Sequence, residues 1–320
     1  PFAAHYAGVG LARRLGIPVL STYHPHFEEY FHHYLPRVPK GLLRGLAREV
    51  ARRQCDAVDA VVVPSRAMHA ALRGYGVEAP LHVLPTGIPL QQFQGGDGMR
   101  FRAAHGVPGR HPLALFVGRV AHEKNIGFLL DAMAHVRAAA PETLLVVAGE
   151  GPALPALRHR VRADGIDAQV RFVGYLDRRR DLPDCYAAAD VFVFASRTET
   201  QGLVLLEAMA AGVPVYGLAE MGTRDILEPR RGAVVAPDDP LRFAEGLVAL
   251  LRDDGRRRTL GAEARRFAGE WSAGSRASQM AALYRSLVDG EARQGRHAGR
   301  TGGAARRETP SSRRHGTPPA

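Results

Sequence analysis

Between residues 113 and 236, short apolar runs alternate with longer amphipathic stretches. The runs at 113–117, 143–148, 170–173, 191–195, 213–218 and 233–236 are rich in Val, Leu and Phe. They largely lack the polar alternation of a half-exposed strand, which predicts strands buried on both faces. Strand alternating with helix in this way predicts a doubly wound parallel sheet in an α/β fold. A smaller set precedes it, with strands expected at 17–22, 60–63 and 81–84 and helices around them. Segment 85–109 is rich in Gly and Pro and reads as the linker between the two sets. The pattern divides the chain into a first domain at 1–105 and a second at 106–270. A last periodic segment follows at 271–289. Residues 290–320, rich in Gly, Pro, Ser and Arg without apolar periodicity, are expected to form a disordered basic tail.

The chemistry gathers at the ends of two of the predicted strands. After the run 191–195 comes RTETQGLVLLEAMAAG, residues 197–212. Gly202 opens an apolar helical stretch that stops at Gly212, with Pro214 just beyond. The backbone N–H groups of Gly202, Leu203 and Val204 then lie at a helix N-terminus, where orphan donors and the helix dipole favour a phosphate. Glu199 stays on the loop at its mouth, and Glu207 lies one turn inside. Two acceptors flanking an anion site suit the hydroxyl groups of a nucleotide-sugar, although two glutamates at this spacing alone are weak testimony. After the run 113–117 come Gly118 and Arg119, with Lys124 near the start of the next helix. In an open α/β sheet that crevice holds ligands. An Arg fork and a Lys point charge there suit a diphosphate leaving group. Taken without the glutamates, the two cations are equally compatible with a solvated loop.

The segments GRVAHEKN (118–125), AGEGP (148–152), FVGYL (172–176) and ETQGLVLLEAMAAGVPV (199–215) resemble the C-terminal half of the family 4 retaining glycosyltransferases. The resemblance extends from about Leu11 to Asp289. It implies the GT-B fold: two Rossmann-like domains facing a cleft, with the segment 271–289 packing back toward the first domain. It also implies that Arg119 and Lys124 bind the donor diphosphate, that Glu207 binds ribose and that Glu199 faces the transferred sugar. Gly118, Gly149, Gly151 and the turn from Val173 to Tyr175 would lie near the nucleotide, although the glycines also have a simpler use as tight turns.

Farther upstream, STYHPHFEEYFHHYLPRVP (21–39) resembles the family's strand–His motif, in which His24 would contact the donor sugar at the catalytic centre. This wording, with TETQG (198–202) and Met221–Asp225, is similar to the branch that glycosylates lipids, including diacylglycerol glucosyltransferases. His26, His32 and His33 lack a recognisable set of accompanying metal ligands and read as acceptor-side or packing residues. No Asp-x-Asp occurs, so the resemblance implies that Arg119 and Lys124 neutralise the phosphates and that no metal or other cofactor is needed. The opening residues Pro1–His5 resemble the interior of a GT-B N-domain. An incomplete N-terminal sheet with an exposed edge is therefore expected.

Composition changes this picture in two places. The 320-residue chain carries a net charge of +11. Segment 37–53 holds six Lys and Arg against one Glu, and 290–320 holds seven Arg against two Glu, so together they supply ten of those charges. The first segment is amphipathic, with Leu42, Leu43, Leu46, Ala47 and Val50 on one face and Arg44, Arg48 and Arg52 on another. It suits either an anionic membrane surface or an ordinary docked helix. The basic charge has no stacking platform beside it, so no specific nucleic acid is expected. The two cysteines are far apart, and no apolar run reaches the roughly 18–20 residues that cross a bilayer. A cytoplasmic location, peripheral on the inner face of the membrane, is the expectation.

The reading that unites these features is a hexosyltransferase that moves glucose from a UDP-sugar to a lipid hydroxyl such as that of diacylglycerol. A GDP-mannose-dependent enzyme acting on phosphoinositide, polyprenol-linked or polysaccharide acceptors stands beside it. So does a nucleotide-binding fragment without activity.

Overall fold

A computed structural model of the chain describes residues 2–24, 40–109 and 111–301. Among these residues the strands form two parallel sheets. The first has the order β1–β2–β3, from Leu20–Thr22, Ala60–Val63 and Leu81–Val83. The second has the order β6–β5–β4–β7–β8–β9. Its strands are β4 Leu113–Val117, β5 Leu144–Ala148, β6 Val170–Gly174, β7 Val191–Phe194, β8 Val215–Gly217 and β9 Ala233–Val235. Every residue of β4, β5 and β7 is buried, as their unbroken apolar runs require of central parallel strands. Phe116 of β4 stacks on Phe194 of β7, ring centroids 6.0 Å apart.

The chain leaves β4 toward β5 and β6, then returns to place β7 on the other side of β4. Connections diverge there, and the crevice at the C-terminal ends of β4 and β7 is where an open sheet accepts a ligand. Arg119 follows β4 and Glu199 follows β7.

Several boundaries differ from the sequence pattern. Strand β1 begins at Leu20 rather than residue 17, because Pro18 has no N–H for a ladder. Strand β8 begins after Pro214 for the same reason. The segment 88–107 is not a free linker. Ile88, Phe93, Phe101 and Val107 enter the larger core, and the helix Gly98–Ala104 lies against Asp181–Ala187. The crossing between the two bodies is therefore near residues 84–88, not at 105. The return crossing is hydrogen-bonded beside it: Ile88 donates its N–H to Trp271 O at 2.9 Å, and Ala273 donates to Ile88 O at 3.0 Å.

The helix Lys40–Cys55 sets Ala51 and Cys55 in the smaller core and also buries Ala47, whereas Leu46 is exposed. Of the apolar face read from the pattern, Ala47 is buried and Leu46 is not, while the side chains of Leu42 and Leu43 lie outside those described. Arg52 and Arg53 both donate to Glu49, and these bonds hold its carboxyl well below the usual range, at about 2. The final helix, Ala273–Thr301, passes residue 290, where the disordered tail was expected to begin. Its Tyr284, Leu287 and Val288 face Ile17 and Leu20 across an apolar cleft of about 510 Å³. Residues 37–39, the histidines 26, 32 and 33, and residues 302–320 lie outside the described residues.

Side chains also cross between the bodies. Asp225 accepts both the backbone N–H and the Nε–H of Arg66 at 2.8 Å, at the start of the helix Arg66–Gly74. Met221 packs against the smaller core. No helix among the described residues is long and apolar enough to cross a membrane.

Candidate donor-binding site

Two adjoining cavities open at the C-terminal ends of β4 and β7. The larger, of about 550 Å³, is lined by His24, Gly118, Arg119, Lys124 and the stretch Glu199–Val204. The smaller, of about 340 Å³, shares Gly118 and Arg119 and continues to Gly149, Glu150, Tyr175 and Arg178. Arg119 therefore stands at the junction, its side chain 62 % exposed and 3.9 Å from Glu123.

Loop-to-loop bonds bring Lys124 to Glu199. Asn125, in the left-handed region at φ 54°, donates its side-chain N–H to Ala195 O at 3.1 Å. Ser196 Oγ donates to Glu123 O at 3.2 Å. These bonds lay the turn 122–125 along the start of the loop after β7. Lys124 Nζ then reaches Glu199 Oε2 at 2.6 Å, with both side chains about four-fifths buried. Gly222 N donates to Glu199 O at 2.8 Å, so the loop is held from a second side.

The helix Leu203–Ala211 starts from Gly202 at φ 91°, a left-handed conformation that costs a residue with a Cβ. Its first N–H groups have no partner within the helix and face the larger cavity. With Arg119 and Lys124 they make a cationic wall. His24, just beyond β1, also lines this cavity, and desolvation shifts its imidazole below the ordinary histidine value.

Other predicted residues fall elsewhere. Gly151 lines neither cavity; a Cβ there would lie 2.3 Å from Val120 O, so it serves close backbone packing. Val173 also lines neither, although Tyr175 does. Glu207 is 1 % exposed behind the helix start and belongs to neither lining. Its Oε1 accepts from Arg178 at 2.5 Å and its Oε2 from the Tyr186 hydroxyl at 2.8 Å. Burial pushes its carboxyl above the ordinary glutamate value, against the opposing charge of Arg178 and the bond from Tyr186.

Sequence reasoning missed Thr86, Gln201, Arg178 and Tyr186. Gln201, 5 % exposed, accepts from Thr86 N at 2.9 Å and donates to Thr86 O at 2.7 Å. It thereby ties the donor loop to the interdomain crossing. Only its place beside Gly202 could have marked it. Replacing Gln201 by alanine leaves two part-buried backbone groups unpaired and is expected to destabilise the protein by about 1–3 kcal/mol, measured by denaturant unfolding.

The chain is similar in sequence and fold to known proteins. The chain is 34% identical over 221 residues to the alpha-monoglucosyldiacylglycerol synthase of Streptococcus pneumoniae, covering 67% of this chain and 49% of that one. It is 37% identical over 243 residues to a D-inositol 3-phosphate glycosyltransferase of Xylanimonas cellulosilytica, covering 71% of this chain and 55% of that one. It thus spans about half the length of these curated relatives. A sucrose-phosphate synthase of Thermosynechococcus elongatus has the same fold, with a TM-score of 0.76 and 28% identity over 90% of this chain and 72% of that one. The fold is GT-B. Residues 99–267 match the family model "Glycosyl transferases group 1" and residues 1–92 match "Glycosyltransferase Family 4". Together those two matches take in most of the chain, which belongs to the family 4 glycosyltransferases.

Proposed function

We propose that the chain is the donor-binding part of a retaining hexosyltransferase that uses UDP-glucose and a lipid hydroxyl such as that of diacylglycerol. The observation that carries this reading is one cavity lined by Arg119, Lys124, the start of the helix Leu203–Ala211, Glu199 and His24. A diphosphate at the helix start would displace Lys124 from Glu199 and share its charge with Arg119. Glu199, released, would accept sugar hydroxyls. The smaller cavity would take the nucleoside.

In the reaction, the bond from the sugar's anomeric carbon to the β-phosphate oxygen breaks, and a bond to the acceptor oxygen forms on the same face. The acceptor's proton passes to the departing phosphate oxygen. Arg119, Lys124 and the backbone donors would lie where negative charge grows, the arrangement that lowers such a barrier most. On this reading they neutralise the diphosphate without a divalent ion. A neutral His24 would offer a hydrogen bond to the sugar without adding charge.

The lipid acceptor is supported by the pneumococcal relative and by the exposed Arg44, Leu46 and Arg48 of the helix Lys40–Cys55, which suit an anionic membrane surface. The inositol-phosphate relative supports the second reading, with a different sugar and acceptor.

Calorimetric titration with UDP and with GDP tests the donor. We expect saturable UDP binding, weaker in Arg119→Ala and Glu207→Ala. Preference for GDP would transfer the assignment to the mannose-donor reading. Binding of neither by folded protein would end both.

A further inference from the structure

We propose that Arg178 is a positioning residue of the donor site, holding the buried Glu207 carboxylate ionised and oriented toward the ribose of a nucleoside diphosphate. The inference rests on the donor-site reading above.

Glu207 lines neither cavity, and Arg178 connects it to one. The Arg178 side chain is 54% exposed and lines the smaller cavity with Gly118, Glu150 and Tyr175, while its Nη2 binds Glu207 Oε1. It is not a loose surface arginine. Its guanidinium carbon lies 5.7 Å from the centre of the Phe93 ring, and its backbone carbonyl accepts from Gln92 Nε2 at 2.7 Å. Its loop is set by Asp177 Oδ1, which accepts from the N–H groups of Arg179 and Arg180 at 3.0 and 2.9 Å.

A carboxylate offers about four acceptor positions. Arg178 and Tyr186 engage one on each oxygen, which leaves acceptor capacity for two ribose hydroxyls. The ionised form matters because a charge-assisted hydrogen bond is roughly twice as strong as a neutral one. Among the described residues, the titratable groups facing Glu207 are Arg178 from its loop and Tyr186 from the helix Asp181–Ala187. Burial also raises the Tyr186 hydroxyl well above its ordinary value, so it stays a donor and supplies no positive charge. Arg178 is the cation that opposes the effect of burial on Glu207.

The sign of the pH effect follows. Burial raises the Glu207 pKa and Arg178 lowers it. Without Arg178 the carboxyl keeps its proton to higher pH, so ribose binding weakens near neutrality and recovers as the pH rises.

The test is calorimetry of the full chain with whichever of UDP or GDP the wild type binds, and with its 2′,3′-dideoxy analogue, from neutral to alkaline pH. Losing the charge-assisted character of its bonds to ribose is expected to make Arg178→Ala bind the ribonucleotide about tenfold more weakly at neutral pH. That loss should shrink as pH rises. Affinity for the dideoxy analogue should not change, and Arg178→Lys should restore most of the binding. Tyr186→Phe removes the other bond that lowers the Glu207 carboxyl but keeps the cation, so its pH profile should move less than that of Arg178→Ala. Unchanged ribonucleotide affinity in Arg178→Ala at every pH overturns the proposal. So does an equal loss for both nucleotides, which would place Arg178 on the base or phosphate. A wild type that binds no nucleotide removes the donor-site reading and this proposal together, whereas a wild type that binds and an unchanged variant remove this proposal alone.

Discussion

Replacing Lys124 by alanine is expected to lower sugar-transfer turnover by about a hundred- to a thousandfold while changing nucleotide affinity far less. On the proposed reading, the charge that grows on the β-phosphate oxygen exists chiefly in the transition state, so a cation held beside it would act on turnover. The bonds of Asn125 and Ser196 set the turn that carries Lys124, whose ammonium lies 2.6 Å from Glu199 and would shift from it to the diphosphate on the proposed reading. The variant also leaves Glu199 without its cation in a partly buried site, where its charge would repel the donor phosphates. Initial rates with saturating donor, set beside calorimetric affinities, separate the two effects. Turnover equal to wild type would remove Lys124 from the leaving-group site. An equal loss in affinity and turnover would make it a uniform binding residue.

Gly149→Ala is expected to be the most damaging single-methyl change at the site, lowering stability by about 2–5 kcal/mol. The new Cβ would stand 1.9 Å from Gly118 O, a backbone atom that cannot swing aside. The position also has φ 137°, which L side chains rarely adopt. Gly149 N donates to Gly174 O at 2.7 Å, and Gly118 N donates to Ala148 O at 3.0 Å, so the ends of β4, β5 and β6 are joined here. Relieving the clash must move Gly118, and Arg119 with it. Thermal unfolding should fall by roughly 10 °C, since each kcal/mol is worth about 2–4 °C in a domain of this size. Nucleotide affinity should fall as well in whatever folded fraction remains. An unchanged melting temperature would mean that the β4 and β5 ends part without cost.

Much of the larger sheet was legible because a central parallel strand must be apolar on both faces. Every residue of β4 and β7 is buried, and their sequences LALFV and VFVF show it directly. The helix start at Gly202 and its end at Gly212 were legible for a different reason. Both positions are left-handed, at φ 91° and 84°, where glycine is the ordinary solution. Segment 88–107 misled because its Gly and Pro content hides a few large apolar anchors. Phe93 and Phe101 are 1% and 3% exposed in the core of the larger body. The basic helix misled for the opposite reason. Leu46 of its expected apolar face is exposed, whereas Ala51 and Cys55, toward the helix end, enter the smaller core.

By itself the sequence determined the alternation of strand and helix, the two groups of strands, and which loops carry cations, glutamates and a helix start. These are local properties, set by apolar periodicity, by turn residues and by the chemistry of a few side chains. Tertiary structure decided which of those groups meet. The sheet order places β7 beside β4, and only then does Lys124 face Glu199 across 75 positions of chain. It also decided that Glu207 is enclosed by Arg178 and Tyr186, and that Gln201 grips Thr86. Such contacts carry no periodic or compositional mark. A hydrogen bond between distant positions depends on where the packed core sets two backbones, and each partner taken alone is an ordinary arginine, tyrosine or glutamine.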